Sequence, residues 1–510
     1  MKINNIILGG LSLLLMVGCD DFETVNTNPD ASTTVTSAML ATGLLRNIST
    51  MNSGNDKNFI RDELLAKSLS WTEAQDIDLA FNLLGRGNFS PMSNLRNCEK
   101  MIEFAATDEL KNSYTAFSHF VRVYTFFDLT LRMGDIPYSE ALKGESEEIY
   151  FPAYDSQRAV FLGMLKELDE ADRLFAAGAT FEGDYIYNGD VTKWRKAVNV
   201  LQLKLLLNLY RKVDDAELNV KGRIQDILAN RPIFESEADN FQIIFSNKAG
   251  QKYPFFKEIN SFTNNDRMTN ILIDKLKELK DYRLFYYAKP TPNAEDASMD
   301  ASDWNAYGGV DPTLPEAEIL SYVSEGNVSQ LNDRYEELAE GEPVFLLSYQ
   351  EMNFILAEMA LRGFISQNPE HYYQEGIRSA MRFVANNTPD NAAYHHNRKL
   401  TDDYINSYLA SKEVALAANF EEQLKQIIWQ KYIMLFLQTP YTAFYEYRRT
   451  GVPEFPINPK SNRNTPTDKM PLRWMYPSDE LDYNMDNVSQ AIASQYGGSD
   501  DYMGIMWILK

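Results

Sequence analysis

The chain of 510 residues is poor in the side chains on which much enzyme chemistry depends, with two cysteines and four histidines. The cysteines are Cys19 and Cys98, and Cys19 belongs to a processing signal described below, so Cys98 has no partner for an intrachain disulfide. Stability must come from the core. His119, His371, His395 and His396 fall in no HExxH or other metal spacing, and adjacent residues such as the last two cannot share one helix face. A zinc centre is not expected, and His119, inside a helical stripe, reads as a hydrogen-bonded core residue. No GxSxG elbow is present, and Cys98 beside Glu99 lacks the cationic surroundings of a nucleophile. Positive charge is also short: 49 Lys and Arg stand against 72 Asp and Glu, a net charge of −23. Such a surface repels phosphate backbones, which argues against nucleic acid as a partner. After Val17 no apolar run approaches the roughly 20 residues of a membrane helix. Gly85-Arg86-Gly87 lacks the third glycine and the preceding strand of a phosphate cradle.

What is present begins with a leader. Lys2 precedes an apolar run from Ile6 to Val17, too short to span a bilayer and the right length for a signal-peptide core. It closes on Met16-Val17-Gly18-Cys19, the pattern of a bacterial lipobox, although Met16 stands where leucine is usual. Residues 1–18 are therefore expected to be removed and Cys19 to carry lipid, several acyl chains anchoring where one would hold only marginally. Residues 19–34, including much of VNTNPDASTTVT, are polar and short-sided, as an extended tether should be.

An apolar share of 44% with 12% aromatics supports a packed interior from about residue 35 onward. Helical periodicity dominates: Leu110, Tyr114, Phe117, Val121, Tyr124, Phe127 and Leu131 recur at three or four, until Gly134 and Pro137 stop the helix. Similar stripes begin near Arg61, Ser93, Gln157, Thr192, Ser348 and Glu421. The fold class is mainly α, an arrangement of helical pairs at 35–237 and again at 342–450, without the tetratricopeptide consensus. Strand signals such as Phe241 to Phe245 predict only small hairpins. Between 238 and 341 the pattern breaks into Gly/Asn/Asp/Pro-rich stretches, predicting an irregular binding lobe, and 451–510 reads as an irregular segment packing on it.

Acidic residues are so abundant that pairs such as Asp76/Asp78 or Glu147/Glu148 do not single out a glycosidase, and solvated surface acids are the plainer account. No cofactor is expected. The loop from Gly183-Asp184 to Gly189-Asp190 leaves a structural calcium open, without EF-hand spacing.

Several segments together resemble the SusD/RagB family, especially its second branch: FETVNTNPDAST, GDIPYSEAL at 134–142, YIYNGD at 185–190 with Trp194, and DYRLFYYAKPT at 281–291. YGGVDPT, SYQEMNFILAEMALRG, YYQEGIRSAM, IIWQKYIMLF, YEYRRTGVPEFP and LRWMYPSDELDYN follow in the order that family shows, over nearly the whole chain. The acidic Asp20-Asp21-Phe22-Glu23 also resembles a surface-export tag of Bacteroidetes lipoproteins. Ala443-Phe444, where the family more often has tryptophan, and the terminal DYMGIMWILK read as packing variations. The resemblance implies a tetratricopeptide-like scaffold with a variable lobe. It also implies a surface-exposed, non-enzymatic lipoprotein of the outer membrane, held in its lipid by Cys19. Its role would be to capture oligosaccharide, or peptide as in some branches, for a SusC-like TonB-dependent transporter. A secreted glycan-degrading enzyme and a ligand-free scaffold or adhesin are the competing readings.

A glycan site needs exposed aromatic platforms flanked by hydrogen-bonding side chains. Trp304, Asn305 and Tyr307 in the irregular lobe offer that, with a tryptophan folded back into a local core as the alternative. Trp71 is a second candidate, again weighed against a core role, with Asn88, Asn94 and Arg96 as hydrogen-bonding partners near the following turn. Tyr445, Tyr447, Arg448 and Arg449 match the family motif YEYRR but are expected to pack and pair internally.

Overall fold

The computed structural model describes residues 35–49, 58–72, 78–259 and 266–510. The leader, Cys19, the 19–34 tether and Asp76 lie outside the described residues.

The first strong element is a long helix, α1 (Asp108–Met133). Thr107 caps it by accepting the Leu110 N–H, Asp108 and Glu109 complement the positive end of its dipole, and Gly134 at φ +88° ends it. Most of its stripe is buried as read, Leu110 and Tyr124 only partly, and Phe120, Val123 and Phe126 are buried as well, so the helix is covered on most sides and runs through the middle of the core. It packs with α2 (Gln157–Ala176), which in turn packs with α3 (Val191–Asn208). Ser156 and Asp190 cap these two through the N–H groups of Ala159 and of Thr192 and Lys193. A second set follows: α4 (Tyr349–Leu361) against α5 (Pro369–Asn386) and α6 (Phe420–Met434), then α7 (Pro440–Thr450). The protein is mainly α, with stacked helical pairs carrying the core.

Among the described residues four strands form two small sheets, and neither is a hairpin. β1 (Leu69–Trp71) pairs antiparallel with β3 (Asp266–Met268), and β2 (Phe241–Ile243) with β4 (Val344–Leu347), about a hundred residues away. The expected Phe241–Phe245 hairpin is thus a three-residue strand that joins distant segments. The stretch 238–341 includes the helices Asn270–Glu278 and Glu316–Ser324 and several single turns, and most of its rings pack in or against the main core. Tyr287 packs on Phe436 with centroids 4.7 Å apart.

The C-terminal stretch, expected to be irregular and to rest on the lobe, contains the helices Ser478–Tyr483 and Met485–Tyr496. The second buries Val488, Ala491 and Ile492, a three-and-four spacing, and the stretch meets the ends of α1 and α2 as well as the lobe, where the Ser461 hydroxyl is bonded to the Thr313 carbonyl. Tyr496 donates to the Met133 carbonyl, Trp474 lies buried beside Phe444, and Ile508 N–H donates to Gln157. Phe444 itself is fully buried, a packing residue where the family more often has tryptophan.

The segments that carry the resemblance are polar knots. In YIYNGD the carboxylate is that of Asp184 just before it, which accepts the N–H groups of Ile186, Tyr187 and Gly189 and the Trp194 indole at 2.8–3.2 Å. In GDIPYSEAL, Asp135 accepts the Gln157 N–H at 2.7 Å, and Tyr138 crosses Gly163 to donate to Glu167 at 2.6 Å. In DYRLFYY, the fully buried Arg283 is bidentate to Asp281 and reaches Gln430.

Candidate functional site

The candidate site is built by residues 300–307. Asp303 accepts the Asn305 N–H at 2.9 Å and turns the chain through Trp304, Asn305 and Ala306, while the Thr291 N–H donates to the Ala306 carbonyl and ties the turn to the preceding segment. This geometry splits the predicted residues. Trp304 is half-buried and Asn305 exposed. Tyr307 is turned inward at 3% exposure, its hydroxyl on the Ala301 carbonyl and His396 Nδ1, and so is not a ligand platform. Burial pushes its phenol above the ordinary range. Trp71 is likewise corrected to a core residue: it lies on β1 at 4% exposure, where strand pairing turns the ring into the interior.

Trp304 meets Phe285 edge-on at 4.7 Å and lies 6.0 Å from Tyr282, which stacks face to face on Tyr404 at 3.7 Å. Tyr282 and Tyr404 are half-buried too, so three rings form a surface shelf. The shelf is fixed from beneath. Arg398 lies over Tyr282 and Phe285, donates to Ser302 O at 2.8 and 3.0 Å, and reaches the Tyr282 hydroxyl at 3.1 Å. Tyr404 donates to Lys280 O at 2.7 Å and accepts the Tyr282 N–H at 2.9 Å. Lys280, Asp303 and Asn305 stand exposed around it, Lys280 with its ammonium 5.8 Å from the Trp304 ring. Tyr404 and Arg398 cover the faces of Tyr282, so the apolar surface left is the exposed part of Trp304 with the tyrosine pair beside it and polar groups at the margin, which suits the C–H faces and hydroxyls of a saccharide. Tyr282 and Tyr404 were not singled out in the sequence, since their partnership spans 122 positions; the DYR and DDY contexts gave no pattern for it.

Asn88, Asn94 and Arg96 are exposed around the turn Ser90–Arg96, with no contact to the Trp304 turn. Asn94 donates to Asn47 at 2.7 Å, and Asn88 accepts from Ser90. Two clefts were also missed. One of about 630 Å³ is lined by Glu235, Glu237, Tyr349, Glu375, Arg382 and Asp402, and one of about 550 Å³ by Tyr124, Asp128, Arg132, Lys204, Tyr441 and Tyr445 among others. Many of their charges are already paired, Arg382 with Asp402, Arg132 and Tyr445 with Asp128, Lys204 with Glu351.

The YEYRR residues face inward. Arg448 donates to Leu131 O and Leu472 O, and Arg449 to Glu358 and Glu446. His119 is bonded to Glu167, and burial pushes the Cys98 thiol up to about 11 despite its bond to Ser118 and the Arg122 charge. Glu147 pairs with Lys143 and Asp78 with Arg463. Among the described residues no group of three or more His, Cys, Asp or Glu could hold a metal ion, and no helix is long and apolar enough to cross a membrane.

Stacked helical pairs carry the Trp304 turn and the Tyr282–Tyr404 pair at the surface. The chain belongs to the second SusD-like family, described as starch-binding and associating with the outer membrane, whose pattern matches residues 29–477. A SusD homologue from Bacteroides fragilis is 41% identical, covers 93% of this chain and 100% of its own, and superposes with a TM-score of 0.90. A second homologue from the same species is 34% identical over 94% of this chain and 100% of its own, TM-score 0.81. A chitin-binding protein at 23% identity, covering 93% of this chain and 99% of its own, shares the fold at TM-score 0.72. No curated protein matches the chain by sequence.

Proposed function

We propose that the chain is a lipid-anchored receptor that captures oligosaccharide outside the outer membrane and delivers it to a SusC-like TonB-dependent transporter. The observation that carries this is the Trp304–Tyr282–Tyr404 shelf with Lys280, Asp303 and Asn305 at its edge. Nonreactive rings held by internal hydrogen bonds suit reversible stacking, and membership of a family described as starch-binding supports a glycan over other nutrients. Cys19 is the anchor in this reading, so Cys19→Ala should release the mature chain from outer-membrane fractions.

Calorimetry of the soluble chain against a glycan panel tests the ligand class. Trp304→Ala should weaken binding to the best glycan by about 1–3 kcal/mol, the range known for stacking of rings on bases. Unchanged affinity would remove the shelf from the site. Binding to peptides and to no glycan would replace saccharide by peptide as the cargo, and turnover of the glycan by purified chain would overturn the receptor reading.

A further inference from the structure

Four large apolar side chains stand out from the surface on two adjoining segments: Tyr150 (71% exposed), Phe151 (63%), Tyr483 (75%) and Met485 (60%). The segments are joined by side-chain hydrogen bonds. Asn484 donates to Pro152 O and Asn487 to Phe151 O, each at 3.0 Å, and Tyr154 donates to Glu480 at 2.8 Å. Tyr154 also packs edge-on against the buried Tyr476, so the patch rests on the core. Around it stand the exposed acids Glu145, Glu147, Glu148, Asp479, Asp482 and Asp486. The one lysine of these segments, Lys143, is paired with Glu147 at 3.0 Å. Contiguous exposed rings within a charged rim are the anatomy of a protein interface.

The charge selects the occupant. An anionic membrane surface would be repelled by the rim. A second copy meeting the patch across a two-fold axis would set carboxylate against carboxylate. What fits is an apolar face bordered by lysine and arginine. We propose that this patch is the face by which the chain docks on its transporter, and that the transporter meets it with such a basic-rimmed apolar surface. This rests on the delivery reading above, which names the transporter but no surface on this chain.

The test is purification of the tagged, full-length lipoprotein from its native cell in mild detergent, with the transporter quantified in the eluate. Phe151→Ser with Tyr483→Ser should lower recovery by about tenfold or more, as loss of two central aromatic anchors does. Glu147→Lys with Asp482→Lys should also lower it. The altered side chains are exposed, and an unshifted melting temperature confirms that the variants fold. A double serine variant that still recovers the transporter in full overturns the inference and leaves the delivery reading standing. Wild-type chain that recovers no transporter sinks both. A wild-type dimer turned monomeric by the serine variant assigns the patch to a second copy, and lost glycan binding with retained transporter assigns it to the ligand; either result overturns the proposal.

Discussion

Arg449 offers a sharp test of how the scaffold is held. On α7 it is 4% exposed, and its guanidinium lies 2.5 and 2.6 Å from the two oxygens of Glu358 and 2.5 Å from Glu446. The chain of charges continues: Lys431 lies 3.1 Å from Glu446 and 3.5 Å from Glu351, Lys204 2.9 Å from Glu351, and Arg362 2.7 Å from Glu358. Burial by itself would raise the Glu446 carboxyl, but Arg449 and Lys431 hold it down to about 2 from an ordinary 4.5. Arg449→Met keeps most of the volume and leaves Glu446 with Lys431 and Glu358 with Arg362. Removing one partner of a buried pair costs about 3–5 kcal/mol. Because the folded pKa lies below the unfolded one, this contribution is complete above pH 4.5 and fades as pH falls toward 2. In the variant the carboxyl rises back, so the stability gap between the two proteins should be widest near neutrality and close on acidification. Urea unfolding at a series of pH values reads both quantities. A gap below about 1 kcal/mol at pH 7, or one that stays constant down to pH 3, would refute the argument.

Asp184→Ala leaves three backbone N–H groups and the Trp194 indole without their acceptor and should cost about 3 kcal/mol or more, read by urea unfolding. Gly163→Ala puts a methyl carbon 2.3 Å from Tyr138 Cε1, so the Tyr138–Glu167 contact must yield, and a melting temperature lowered by several degrees is expected. Burial pushes Glu63 up to about 8 against the hydrogen bond it accepts from Ser68, so its contribution is present below pH 4.5 and lost as pH climbs through 8. Glu63→Gln should therefore melt higher than wild type at pH 9, with the advantage shrinking toward pH 6.

How far the sequence could be read depended on how local each signal was. The α1 stripe and the caps at Thr107, Ser156, Asp190 and Ser348 act within one helical turn, and those helices lie within a few residues of where periodicity put them. Pairing of Phe241 with Leu347 depends on two segments a hundred residues apart, and nothing in either names the other. The Trp304 turn defeats periodicity altogether. Trp304 stays at the surface while Tyr307, three residues on, points inward, because the Asp303 cap and the Tyr307–His396 bond set the path of the chain there. Trp71 follows the helix Asn58–Leu65 but sits on a short strand whose partner, β3, lies almost two hundred residues on.

The recognisable segments and the candidate site also differ in kind. Asp184, Tyr138 and Arg283 lie in or beside motifs that mark the family, and each is engaged inside the fold, Arg283 through Nε and Nη2 while its buried Nη1 has no hydrogen-bond partner. Trp304 and Asn305 fall in a stretch that matched no motif, and they stand at the surface on a turn whose supports are backbone groups and Arg398. A change of side chain at 304 or 305 therefore strips little from the core, whereas a change at 184 leaves buried donors without an acceptor and one at 283 unpairs buried charge. The scaffold can thus stay fixed while the shelf is altered. It follows that substitutions at Asn305 should shift the order of preference among glycans by about tenfold at most while the melting temperature stays within a degree or two, a separation that Asp184 or Arg283 variants cannot show. Calorimetry and thermal melts on the same Asn305 variants read both, and a melting temperature that falls in step with affinity would place Asn305 in the scaffold after all.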